Sequence, residues 1–105
     1  MFYIIAKEHM DSGVVRRDII AVANKSGFAD LEDVSSIGTP SKLIIEEDRF
    51  NEMLQDGYLK KEDALNDKNM RRDITDFAGP FWKVEFSVVD EDELKKLYKE
   101  ILSRK

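Results

Sequence analysis

A chain of 105 residues that is 42% apolar, with six Phe, three Tyr and one Trp, has the material for one packed domain and is too apolar to remain unfolded. Its 22 acids outweigh 17 bases, and the net charge of -5 argues against a general affinity for DNA, RNA or anionic membrane. The absence of cysteine excludes disulfides, thiolate zinc sites and thiol catalysis, and fits a soluble, cytoplasmic protein.

The opening run FYIIA (2–6) is continuously apolar, as in a strand buried on both faces. It is too short for a signal-peptide core, and no segment approaches the ~18 apolar residues of a membrane span. Ser12 stands where a helix N-cap belongs. Val15, Ile19, Val22 and Ala23 follow at helical spacing, so a helix is predicted through about Ser26, closed by Gly27 and Phe28. The turn residues Gly38-Thr39-Pro40-Ser41 separate two β-branched stretches, which predicts a hairpin pairing about 33–37 with 42–46.

Phe50, Met53 and Leu54 then share a helical face that Gly57 terminates. Residues 58–68 are rich in lysine and acids and read as a loop with one helical turn. Met70, Ile74, Phe77 and Ala78 restore helical spacing until Gly79-Pro80 ends it. In FWKVEFSVV (81–89), Trp82, Val84, Phe86 and Val88 alternate with Lys83, Glu85 and Ser87, the pattern of a strand with one buried face. Asp90 and Glu93 open a last helix carrying Leu94, Leu97, Tyr98, Ile101 and Leu102 on one stripe. The predicted order is β-α-β-β-α(α)-β-α. This is a ferredoxin-like order plus a C-terminal helix, in an α+β domain with a mixed or antiparallel sheet of about four strands and helices on one face.

The tetrapeptide RRDI occurs at 16–19 and again at 71–74. In the second copy Arg71 has Asp67 at i-4 and Arg72 has Asp76 at i+4, so both arginines are expected on a solvated helix face with intrahelical ion pairs. In the first copy Arg16 and Arg17 have no acid at helical spacing. They must meet an acid from another element, stay solvated, or bind a carboxylate or phosphate.

Catalytic signatures are weak. His9, Asp11 and Ser12 are near neighbours in one segment, whereas triads are assembled from separate parts of a fold. The acids 90–93 are explained by the start of a helix and lack calcium-loop spacing. Phosphate-binding, zinc-protease and hydrolase motifs are absent from the sequence. Segment 24–38 has a faint helix-turn-helix look, but its acids Asp30, Glu32 and Asp33 would repel phosphate.

The expectation is a small, acidic, non-enzymatic protein-binding module of the regulator, immunity or phage-inhibitor kind, with no cofactor or metal. Glu46, Glu47, Asp48, Glu52 and Asp56 form the acidic surface offered to a basic partner. The alternative is a binder of nucleic acid or another anion through Arg16 and Arg17, with Arg71 and Arg72 as secondary candidates. A metal-dependent hydrolase or nuclease ranks third. A homodimer through an open sheet edge is a further expectation.

Overall fold

Residues 12–26, predicted as the first helix, are instead the turn and second arm of a β-hairpin. The computed structural model describes residues 1–36 and 41–104. Strand β1 (Phe2–Asp11) runs well beyond the expected 2–6, and β2 (Arg16–Ala23) pairs antiparallel with it from Ile4↔Ala23 to Asp11↔Arg16. Local chemistry explains the difference. Asp11 Oδ1 accepts a hydrogen bond from the Gly13 N–H at 2.9 Å, Ser12 Oγ accepts from the Val15 N–H at 3.1 Å, and Gly13 has φ 84°. Asp-Ser-Gly is therefore turn chemistry, and Ser12 caps a turn, not a helix. The run IIAVA that follows is mostly β-branched, which favours a strand, and the sheet buries it from both sides.

β3 (Phe28–Ser35) pairs antiparallel with β2, and β4 (Ser41–Ile44) pairs with β3 from Glu32↔Ile44 to Ser35↔Ser41. The predicted hairpin is thus present, while the expected turn residues 38–40 lie outside the described residues. A bulge between Ile20 and Ala21 gives β3 one extra residue and turns both Leu31 and Glu32 inward, where each is buried. The helices α1 (Glu47–Leu54), α2 (Lys61–Asn66) and α3 (Lys68–Ala78) come next, then β5 (Lys83–Asp90) and α4 (Glu91–Ser103).

The described residues thus hold a five-stranded antiparallel sheet in the order β4-β3-β2-β1-β5, together with four helices. This corrects the ferredoxin-like order. No helix links β1 to β2, and β5 returns to the far side of β1 after three helices.

The helices also occupy both faces of the sheet, not one. Alternation along β1 decides the layers, because successive side chains point to opposite faces. Tyr3 and Ile5 pack with Val22, Leu31, Phe50 and Met53 of α1, and Leu94, Tyr98 and Ile101 of α4. Ile4 and Ala6 pack with Ala21, Ala23, Ala64 of α2 and Ile74 of α3. The first layer is fastened by Phe50 stacked on Tyr98 at 4.1 Å and by the Tyr98 hydroxyl donating to the Ile45 carbonyl at 2.8 Å. In the second, small alanines let α2 approach the sheet closely.

The last third follows the expected pattern. Val84, Phe86 and Val88 pack inward while Lys83, Glu85 and Ser87 are exposed, and Asp90 Oδ1 caps α4 by accepting from the Glu93 N–H at 2.8 Å. Leu102 is a departure, since it lies exposed beside the buried stripe of α4. Phe77 is another: it is 75% exposed and meets Phe28 edge-on at 5.6 Å instead of entering the core. Among the described residues, no helix is long and apolar enough to cross a membrane.

Candidate functional site

The two RRDI copies have opposite structures, one on a strand and one on a helix. On β2, Arg17 and Ile19 point to the face covered elsewhere by α2 and α3, and Arg16 and Asp18 point to the other. Arg17 meets Asp33 of β3 as a two-pronged pair, Nε to Oδ1 at 3.0 Å and Nη2 to Oδ2 at 2.5 Å, and its guanidinium lies 5.7 Å from the centre of the Trp82 ring. The acid that helical spacing failed to supply comes from the neighbouring strand. Hydrogen bonding to Asp33 also raises the Arg17 pKa, fixing its positive charge. Arg16 is exposed at the strand end, 3.8 Å from Asp18.

On α3, Arg71 points inward: its Nη2 donates to the Ala64 carbonyl at 3.5 Å, and the guanidinium lies 5.9 Å from the Phe86 ring centre. Arg72 is exposed and donates to Asn69 at 3.3 Å. Neither forms the intrahelical ion pair expected of it. Asp67 is engaged elsewhere, accepting from the Met70 N–H at 3.0 Å and from the Tyr58 hydroxyl at 2.5 Å. The four arginines therefore do not converge on one surface.

The acidic group is similarly dispersed in role. Glu46 is the N-cap residue of α1, Glu47 and Asp48 lie in its first turn, and Glu52 is exposed further along. Acids at a helix N-terminus complement its dipole. Asp56 accepts from the Ser26 hydroxyl at 2.6 Å, and its carbonyl accepts from the Lys25 N–H at 3.0 Å, which ties the loop after α1 to the end of β2.

His9, Asp11 and Ser12 do not form a catalytic set. His9 Nδ1 lies 2.5 Å from Asp18 Oδ1, whereas Asp11 and Ser12 hold the hairpin turn. His9 and Asp18 border an open groove of about 570 Å³ on the sheet face beyond α4, where Lys7, Lys83 and Arg104 alternate with Glu32 and Glu85. Two of the groove's acids have partners: Lys42 lies 3.0 Å from Glu32, and His9 lies beside Asp18. Among the described residues, no group of three or more His, Asp or Glu side chains is arranged to hold a metal ion.

The feature that local charge pairing does not explain is apolar. At the β1–β2 hairpin end, Met10, Val15, Phe81 and Trp82 line a depression of about 440 Å³ whose rim includes Asp11 and Ser12. Val14 at the hairpin tip is 89% exposed and Phe81 is 84% exposed. Leaving a large apolar side chain in water forfeits roughly 1.5–3 kcal/mol of burial. Trp82, expected in the core, lies just before β5 and is half-buried, braced by the Arg17–Asp33 pair. The hairpin turn and the Gly79-Pro80 corner thus hold Val14 and Phe81 outward on a firm base.

Deeper on the same face stands Glu8, 6% exposed between Ile19 of β2 and Val84 of β5. Burial, then the nearby Asp30 and Asp33 carboxylates, push its pKa up to about 7 against the opposing pull of Arg17.

Parity could have revealed the exposure of Phe81 from sequence alone, since it shares the solvent-facing side of Lys83 and Glu85. The exposure of Val14 could not be foreseen while 12–26 read as a helix. No protein-family model, no curated protein and no solved structure matches this chain.

Proposed function

We propose that this chain is a non-enzymatic protein-binding module that engages its partner through the apolar hairpin end, with Val14 and Phe81 as anchors and Trp82 as the floor. The observation that carries the reading is two strongly exposed large apolar side chains beside an apolar depression at the hairpin end of the sheet. Exposed apolar clusters rimmed by polar groups are characteristic of interaction sites, and aromatic anchors dominate binding energy. The acidic surface of α1 lies toward the other end of β2 from the hairpin turn and steers a basic partner through its long-range field, a role that affects association rate more than affinity.

The test is affinity capture at moderate salt with the wild-type chain, a Val14→Ser/Phe81→Ser variant and an Asp48→Lys/Glu52→Lys variant. One stoichiometric protein is expected with the wild type, lost with the first variant and retained with the second at reduced association rate. Capture that survives Val14→Ser/Phe81→Ser but fails with Asp48→Lys/Glu52→Lys would transfer the site to α1. Retention of nucleic acid that depends on Arg16 would favour the anion-binding alternative.

A further inference from the structure

The sheet ends in two unequal edges. On one side β4 has four residues; on the other β5 has eight and lies against β1, the longest strand. Among the described residues, no strand pairs with the outer side of β5. An edge of this length presents a row of backbone donors and acceptors to any strand that reaches it.

We infer that the partner for this edge is β5 of a second copy, joined antiparallel about a twofold axis normal to the sheet at Val84. The inference rests on the order of side chains along the edge. Directly opposed residues of an antiparallel pair lie on the same face, so a twofold at Val84 sets Lys83 opposite the second copy's Glu85, and Glu85 opposite its Lys83. On the other face it sets Trp82 opposite the second copy's Phe86, with Val84 opposite its own counterpart. Every opposed pair is then oppositely charged, aromatic with aromatic, or β-branched with β-branched, which are the favourable cross-strand combinations. The exposure pattern agrees: Lys83 and Glu85 are exposed, whereas Trp82, Val84 and Phe86 are half-buried and retain apolar surface to cover.

Neighbouring registers lack this agreement. An axis at Glu85 brings two glutamates face to face, which is destabilising. An axis at Phe86 puts Lys83 opposite Val89 and Glu85 opposite Ser87, and leaves both charges without partners. The Val84 register confines strand overlap to 83–85, flanked by Trp82 just before β5 and by Phe86, and keeps it away from Asp90 and the start of α4. A lysine on an edge strand commonly guards against pairing. Here Glu85 stands two residues away on the same face, so an antiparallel copy meets complementary charge instead of repulsion.

Sedimentation velocity across a concentration series, with wild type, Lys83→Glu, Glu85→Lys and the exchanged Lys83→Glu/Glu85→Lys, tests the register. Both substitutions fall at exposed positions, and circular dichroism melts establish that each variant folds. The wild type and the exchanged double variant are expected to dimerise alike. Each single variant is expected to weaken self-association about tenfold or more, because both cross-strand pairs become repulsive. Mixing the two single variants is expected to restore a two-chain species, since one carries only acids and the other only lysines at these positions. A wild type that stays monomeric at every concentration overturns the inference. So does a dimer indifferent to the single changes, or single variants that fail to recover on mixing. A monomeric result here leaves the hairpin-end reading standing, because that surface is tested by capture of a different protein.

Discussion

Replacing Glu8 by Gln is expected to stabilise the protein at alkaline pH and to do little in acid. Glu8 is 6% exposed on β1, and its carboxyl is raised from 4.5 to about 7, first by burial and then by Asp30 and Asp33. A group whose folded pKa exceeds its unfolded value binds protons more tightly when folded. Its contribution is therefore fully present below about pH 4.5 and is lost as the pH rises through about 7. In full, that shift corresponds to roughly 3 kcal/mol. Water reaches this cluster at the exposed Asp30 and along Arg17, whose side chain is 40% exposed, so about 1–2 kcal/mol is the reasonable figure. Gln keeps the shape and hydrogen-bonding capacity of the protonated acid and never ionises. Urea denaturation of both proteins at about pH 4, 6 and 8 provides the assay, read as the difference between them so that other carboxylates cancel. The difference is expected to be near zero in acid and about 1–2 kcal/mol in favour of Glu8→Gln at pH 8. A difference that is constant with pH, or that favours the wild type at pH 8, would refute the reasoning.

Three further substitutions probe the framework. Arg17→Ala removes the two-pronged bond to Asp33 and the cover over Trp82, and is expected to cost about 1–3 kcal/mol in a denaturation midpoint; Arg16→Ala, at the exposed strand end, should stay within about 0.5 kcal/mol. Gly57→Ala is expected to lower thermal stability by about 1–3 kcal/mol, because the added methyl would stand 2.7 Å from Met1 Cβ and 2.8 Å from Tyr3 Cζ.

The sequence was most legible where local pattern and tertiary surroundings agree. Strict alternation in 83–88 and the stripe Leu94, Tyr98, Ile101 each admit one regular structure, and both appear as expected. The failure at 12–26 is equally physical. Val15, Ile19, Val22 and Ala23 satisfy helical spacing, but Ile19 to Ala23 is also a continuous apolar run, and a central strand buried on both faces shows no alternation to betray it. The repeated RRDI makes the same point. Followed by IAVA at a sheet centre it is extended, whereas after Asp67, which caps the N-terminal turn, it is helical.

The layer assignment could not be read from sequence either. Which helices cover which face depends on how the chain returns to the far side of β1, a long-range choice made by shape. The position of Asp33 beside Arg17 is a cross-strand relation that appears only once β2 is known to be a strand. Glu8 gave no warning of its burial, because its neighbours Lys7 and His9 made that stretch look solvated.

The hairpin end as the partner-binding surface is tested most directly by site-specific photo-crosslinking in cells, with a photoreactive aromatic amino acid in place of Phe81 and, separately, in place of Asp48. One discrete protein adduct is expected from position 81, and little or none from position 48. Adducts formed from position 48 and absent from position 81 would contradict it.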